Sequence, residues 1–190
     1  MTDTDRPLRL AVLIGSTREG RAGAAIARWF VTHANQHAGF EVDVLDLLDV
    51  PLPPRLPENS TPEQEAWAAR IDRADAFVVV TPEYNHSFPA SLKQAIDCAY
   101  EEWFAKPVGF VSYGGVARGL RAVEQLRGVF SELHVVTQRD GVSIGLDDGV
   151  DDTGWVCDPA AGRAAKVLLD QLEWWGHALR TARAERPYVA

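Results

Sequence analysis

The residues best equipped for chemistry fall in three short segments. The first is Gly15-Ser16-Thr17-Arg18-Glu19-Gly20-Arg21-Ala22-Gly23, between an apolar run and a stretch of helical spacing. A helix N-terminus presents free N–H groups and a positive dipole end, which suits a phosphate. Ser16 and Thr17 add hydroxyl donors, Arg18 and Arg21 add charge, and glycines such as Gly23 permit close backbone approach. The same stretch also reads as a plain polar loop, with hydroxyls capping and arginines facing solvent. It is neither a Walker loop nor a GxGxxG fingerprint, since Ser16 and Thr17 stand where glycine is needed.

The second segment is Thr81-Pro82-Glu83-Tyr84-Asn85-His86-Ser87-Phe88-Pro89, and the third is Ser112-Tyr113-Gly114-Gly115. Prolines stiffen the second, and aromatic rings flank its backbone. That combination suits a planar aromatic ligand needing edge hydrogen bonds and a face contact; a rigid helix entry is the alternative. Paired glycines after a strand let a ring lie against peptide N–H groups, or they form an ordinary turn. His86 has no partner for a triad or a metal site and reads as a loop histidine. No metal site and no catalytic side chain is expected.

These segments need a scaffold. Leu8–Ile14 is an almost continuous apolar run, as for a strand buried on both faces. Ala22, Ile26, Trp29 and Phe30 recur at helical spacing up to Gly39. Glu41 to Leu47 alternates like a strand near a sheet edge. Pro51, Pro53, Pro54 and Pro57 mark an extended connection. Thr61-Pro62-Glu63-Gln64 reads as a capping box with proline at the first helical position. Ala76–Thr81 predicts a third strand, Ser91–Trp103 a helix with Leu92, Ile96, Ala99 and Trp103 on one face, and Pro107–Ser112 a fourth strand. Leu120, Val123, Leu126 and Phe130 mark another helix, and His134–Ile144 contains a fifth strand. Asp158-Pro159 opens a last helix running to roughly Arg183, with Leu168, Leu172, Trp175 and Leu179 on one face.

Strict βα alternation implies an α/β fold, a doubly wound five-stranded parallel sheet with strand order 2-1-3-4-5. Ligands then bind beyond the carboxyl ends of the strands at the switch point, where all three segments fall. The 190 residues read as a single domain, residues 1–190, with residues 1–7 expected to be a disordered tail.

Composition narrows the function classes. The chain carries 19 basic and 27 acidic residues, a formal charge of −8, which argues against a nucleic-acid surface. No apolar run is long enough for a membrane span, and the N-terminus lacks signal-peptide character. Cys98 and Cys157 lack metal or CxxC spacing and read as reduced, buried thiols, so a cytoplasmic setting is expected. The acidic run Asp147–Asp152 reads as a solvated loop. The tryptophans suit core or subunit-interface packing. Trp174 and Trp175 are adjacent on a predicted helix, about 100° apart, so one core face cannot hide both. An oligomer is expected, most simply a twofold dimer.

Three motifs, Leu13-Ile14-Gly15-Ser16-Thr17-Arg18, Thr81-Pro82-Glu83-Tyr84-Asn85 with Pro89-Ala90-Ser91-Leu92-Lys93, and Ser112-Tyr113-Gly114-Gly115, resemble those of the NADPH-dependent FMN reductase family of flavodoxin-like proteins. The resemblance runs from Leu8 to at least Ile144. It implies an FMN cofactor, NADPH or NADH as co-substrate, and hydride transfer onward to an acceptor. It assigns Ser16 and Arg18 to the FMN phosphate, and the peptide groups of Pro82, Glu83, Tyr84 and Asn85, with Ser112, Tyr113, Gly114 and Gly115, to the isoalloxazine. Many members have Ser where Arg21 stands and Asn where Gly23 stands; Arg21 is either a substitute ionic contact or solvent-facing. The family implies a homodimer or homotetramer. Free flavin for a monooxygenase partner, quinones, azo dyes, chromate and organoarsenicals are all compatible acceptors. A flavodoxin-type electron carrier and a flavin-binding module without turnover are the alternatives.

Overall fold

The computed structural model describes residues 6–53 and 55–189. In chain order the elements are β1 (Leu8–Ile14), α1 (Gly23–Gln36), β2 (Phe40–Asp46), α2 (Pro62–Arg73), β3 (Ala76–Pro82), α3 (Ala90–Asp97), β4 (Pro107–Gly114), α4 (Leu120–Glu132), β5 (Val136–Thr137), β6 (Val142–Gly145) and α5 (Pro159–Glu185). All sheet pairings are parallel, and the order is β2-β1-β3-β4-β5, with β6 also paired to β4. This is the doubly wound, flavodoxin-like arrangement.

The period-2 alternation of the strands sorts their side chains into two cores. Ala11 and Leu13 of β1, Phe77 and Val79 of β3, and Val108 and Phe110 of β4 face α2, α3 and α4. Leu10, Val12, Ile14, Val78, Val80, Val111 and Tyr113 face α1 and α5. β1, except at Arg9, and β3 are therefore buried on both sides, as their almost continuously apolar sequences require, while β2 at the edge is half-exposed. Burying each Leu, Ile or Phe contributes about 1.5–3 kcal/mol, so the two faces supply most of the driving force.

The capping box of α2 forms as written in its sequence. Thr61 Oγ1 accepts from Gln64 N at 3.3 Å, Gln64 Oε1 accepts from Thr61 N at 3.1 Å, and Pro62 occupies the first turn. Asp158 caps α5 by accepting from Ala160 N at 2.8 Å.

Four expectations need correction. The helix expected over Ser91–Trp103 ends at Asp97, and Glu101–Trp103 forms a separate 3₁₀ turn. Two indoles cause the break: Trp67 Nε1 donates to Ala95 O at 2.7 Å and Trp103 Nε1 to Ile96 O at 3.1 Å. Those carbonyls are thereby satisfied without another turn of α-helix. The fifth strand is split into β5 and β6, both on β4. Arg127 of α4 donates to the carbonyls of Gln138 at 2.6 Å and Arg139 at 3.0 Å, drawing them out of the ladder. On α5, Leu168 and Leu172 are buried, but Gly176 and Arg180 continue that face instead of Trp175 and Leu179. Gly176 lies so close to Leu8 that a Cβ there would meet Leu8 Cδ1 at 2.5 Å. Finally, Cys98 is buried, whereas Cys157 is exposed at the entry to α5.

The tail expectation covers residues 1–7. Residues 1–5 lie outside the described residues, and Arg6 is tied down by Asp75 at 2.8 Å and by donation from Arg180 Nη2 to its carbonyl at 3.0 Å. Among the described residues no helix is long and apolar enough to cross a membrane.

Candidate functional site

The strand order reverses between β1 and β3, so the turns leaving β1, β3 and β4 open at the carboxyl edge of the sheet around the switch point. The register places Ile14 beside Val80, and Pro82 beside Tyr113. All three sequence segments are thus brought together.

The first turn is anchored at its base. Gly15 N donates to Val80 O at 2.9 Å, and Ser91 Oγ of α3 donates to Gly15 O at 3.0 Å. Ser16 is fully buried, whereas Thr17 and Arg18 are exposed. Among the described residues the Arg18 side chain makes no hydrogen bond or ion pair. Arg21 is committed elsewhere: it forms a two-pronged pair with Asp46 at the end of β2 and donates to Ser16 O at 2.5 Å. Hydrogen bonding to Asp46 raises the Arg21 guanidinium above its usual pKa. Burial, the largest single effect, raises Asp46, but the bond from Arg21, the Leu48 N–H and the Arg21 charge together outweigh it and hold the carboxyl below the usual range.

Gly23 opens α1. Ala22 precedes it in helical conformation with no side-chain cap, and the first turn of α1 holds no acidic residue. An uncapped helix start beside a free arginine is a fit donor set for an anion such as the FMN phosphate. Gly23 itself is sterically required. A Cβ there would lie 2.6 Å from both Ser16 Oγ and Tyr113 Oη.

The β3 turn is a two-residue hairpin. Tyr84 N donates to Ser87 O at 2.8 Å, and Ser87 N to Tyr84 O at 2.9 Å. Its central residues, Asn85 and His86, both have positive φ, 49° and 66°. Asn adopts that conformation readily; His does so at some cost. Gln125 of α4 holds the hairpin, donating to His86 O at 2.7 Å and accepting from Ser87 Oγ at 2.6 Å. Glu83 N donates to Tyr113 O at 3.1 Å, and its carboxylate takes Arg121 Nη1 at 2.7 Å and Arg121 N at 3.3 Å. Glu83 therefore neutralises the first turn of α4. His86 is exposed and has no side-chain partner among the described residues.

The β4 turn runs from Ser112 to Gly119. Ser112 Oγ donates to Arg118 O at 2.9 Å, and Arg118 N to Gly115 O at 2.9 Å. Arg118 and Gly119 both have positive φ, 50° and 84°. Gly115 is exposed, with nothing near its would-be Cβ, and Gly114 is half-buried. Tyr113 is buried, its hydroxyl donating to Ser16 Oγ at 3.0 Å. Burial pushes the phenol up to about 12.

A groove of about 1530 Å³ lies at the opposite end of the sheet, lined by Asp75, Lys106, His134, Arg183 and Tyr188 among others. It contains no residue of the three turns. The contributions of Asp46, Ser91, Gln125 and Gly119 are absent from the sequence reading. Only the Pro-Ala-Ser continuation of the second motif points toward one of them, Ser91; the rest are long-range partners without a local signal.

Comparisons with known proteins identify the family and the fold. The NADPH-dependent FMN reductase family matches residues 8–148. An NAD(P)H-dependent FMN reductase of Schizosaccharomyces pombe is 36% identical over 163 residues, covering 80% of each chain. An NAD(P)H:quinone oxidoreductase of Solanum tuberosum is 34% identical over 140 residues, 69% of this chain and 72% of the relative. Among solved structures, the flavoenzyme NAD(P)H:(acceptor) oxidoreductase FerB from Paracoccus denitrificans shares the fold, with a TM-score of 0.74 at 21% identity over 90% of this chain and 98% of that one. The chain belongs to the NADPH-dependent FMN reductase family and is an NAD(P)H-driven, FMN-dependent oxidoreductase.

Proposed function

We propose that the three turns are the FMN site of a cytoplasmic, single-domain reductase whose acceptor is a quinone or free flavin. The observation that carries this reading is the convergence of an uncapped helix start with two rigid turns at the switch point. Thr17, Arg18, the main chain of Ser16 and the N-terminal end of α1 hold the phosphate. The backbone of Pro82, Glu83, Tyr84, Asn85, Ser112, Tyr113, Gly114 and Gly115 borders the isoalloxazine. In this reading Arg21 and Gly23 act one layer back. Arg21 is neutralised by Asp46 and braces the Ser16 carbonyl, and Gly23 makes room for the Ser16–Tyr113 contact.

Bound there, FMN supplies a two-electron relay between nicotinamide and acceptor. The protein's part is positional and electrostatic. Peptide N–H groups of the β3 and β4 turns, held by Gln125, Glu83 and Ser112, offer pre-oriented dipoles for negative charge developing at the ring edge. We infer a single stacking cleft over these turns, from which NAD(P)⁺ leaves before the acceptor enters. Initial rates at varied NADPH and several fixed quinone concentrations should give parallel double-reciprocal lines. Intersecting lines would overturn the shared cleft, and absence of NADPH oxidation with any acceptor would overturn the function. Quinones, free flavin, azo dyes, chromate and organoarsenicals form the screen; preference for free flavin would point to a monooxygenase partner.

Arg18→Ala is expected to weaken FMN binding by about 1.5–3 kcal/mol, the range for a hydrogen bond to a charged group. Thermal stability should barely change, because the side chain lies on an exposed loop. Unchanged affinity by titration would remove Arg18 from the phosphate site.

We also propose a homodimer or homotetramer. Trp174 is 65% exposed and Trp175 37%, their rings 5.0 Å apart edge to face on α5. Val167, two turns before Trp174, is exposed as well. Light scattering at micromolar concentration should return a multiple of 20.9 kDa; the mass of one chain would overturn the proposal.

A further inference from the structure

We propose that Tyr113 is a positioning residue for phosphate recognition, acting through Ser16; this rests on the first turn holding the FMN phosphate. Tyr113 is the last large residue of β4 and belongs to the sheet face that meets α1. Its side chain crosses beneath the first turn and donates to Ser16 Oγ at 3.0 Å. Both groups are almost completely buried, Ser16 at 0% and Tyr113 at 3% exposure. The contact lies against the start of α1, where the Gly23 Cα leaves no room for a methyl group beside either oxygen.

The contact acts on the turn and not on the ligand directly, because the Ser16 hydroxyl is fully enclosed. Held by Tyr113, the buried serine fixes the main chain of the first turn, whose exposed residues Thr17 and Arg18 then face the phosphate. A phenol kept protonated by burial retains this hydrogen bond across the neutral range. Without the Tyr113 hydroxyl, the Ser16 hydroxyl loses its buried partner and the turn it anchors is free to shift.

Tyr113 also touches the other two turns. Its carbonyl accepts from Glu83 N at 3.1 Å, and it stands opposite Pro82 in the sheet register. One residue thus joins the phosphate loop to the backbone proposed for the isoalloxazine. Arg21 secures the same serine from the main-chain side, through Ser16 O. The serine is fixed at its carbonyl by one element and at its hydroxyl by another, which is the arrangement that preorganised recognition requires.

The test compares FMN with riboflavin, which lacks the phosphate, by fluorescence titration of the full-length chain. Tyr113→Phe keeps the buried ring and should weaken FMN about tenfold, the effect of one hydrogen bond of about 1.4 kcal/mol. Riboflavin affinity should stay unchanged. In a Ser16→Ala background, Tyr113→Phe should have no further effect on FMN, because both changes remove one coupled interaction. Equal losses for FMN and riboflavin, additive losses with Ser16→Ala, or no loss at all would each overturn the proposal. If Tyr113→Phe does not fold, Gly23→Ala replaces it. Its methyl group would part the two oxygens and should narrow the FMN-to-riboflavin preference in the same way; an unchanged preference overturns the proposal. If the parent chain binds riboflavin as tightly as FMN, the phosphate reading of the first turn fails, and this proposal with it.

Discussion

Asp75→Ala is expected to destabilise the protein by about 3–5 kcal/mol, the cost of breaking a buried ionic network by removing one partner. Asp75 sits just before β3, at the end of the sheet away from the site, and its side chain is 6% exposed. One carboxylate oxygen accepts from Arg6 Nη1 at 2.8 Å and from Arg9 N at 3.0 Å. Arg180 and Arg183 of α5 approach to 3.6 Å and 3.8 Å. Lys106 lies nearby, donating to the last carbonyls of α2, Ile71 O at 3.0 Å and Asp72 O at 2.7 Å. Burial first, and then Arg183, depress the Lys106 ammonium to about 8, while Asp72 and Asp75 work against that depression. Asp75 is therefore the common counter-charge of several cations that hold the start of β1 and the end of α5 to the sheet. Alanine leaves these cations facing one another with little solvent to screen them. Asn, which keeps an acceptor for Arg9 N but carries no charge, should cost less than alanine. Chemical denaturation would measure both, with the midpoint falling and the slope unchanged. A loss below about 1 kcal/mol for alanine would mean that the cations find other partners. FMN affinity should be unaffected, since the site lies at the other end of the strands.

The scaffold of the site was legible because its signals are local. Continuous apolar runs gave β1, β3 and β4, the capping box gave α2, and βα alternation gave the strand order. The phosphate turn could be read from Gly15 to Gly23 because hydroxyls, cations and glycines cluster there. What escaped was set by distant partners. Nothing around Ile96 announces that the Trp67 and Trp103 indoles will take the last carbonyls of α3. Nothing near Gln138 announces Arg127. Arg21 illustrates the same limit at the site: its position suggests a phosphate contact, but Asp46, 25 residues on, claims it. Gly114 and Gly115 stand as a pair in the sequence, yet the glycine under the strongest steric demand in that turn is Gly119. Its positive φ arises from the way α4 is launched after Arg118, and no short motif encodes that.

Gly119→Ala follows from this demand, and it should cost the β4 turn about 2–5 kcal/mol. About 1–2 kcal/mol comes from placing an L side chain in the left-handed region, at φ 84°. About 1–3 kcal/mol more comes from overpacking. A Cβ at residue 119 would lie 2.6 Å from Ser112 Cβ, 2.7 Å from Tyr113 N and 3.0 Å from Ser112 Oγ. Two of these are backbone or Cβ atoms of a central strand, which cannot swing aside as a side-chain tip can. The turn must therefore move, carrying with it the Ser112 hydroxyl that holds Arg118 O and the peptides of Gly114 and Gly115. Those peptides are proposed to border the isoalloxazine, so FMN and riboflavin should both bind at least tenfold more weakly, since 1.4 kcal/mol corresponds to a factor of ten. That pattern separates it from Tyr113→Phe, which is expected to spare riboflavin. The rest of the sheet should survive, because the β3 and β1 ladders do not depend on this turn. Paired flavin titrations and a denaturation curve would check the prediction. A variant that keeps both flavin affinities within twofold would show that the β4 turn lies outside the ring contact, and the isoalloxazine would then have to rest on the Pro82–Asn85 side alone.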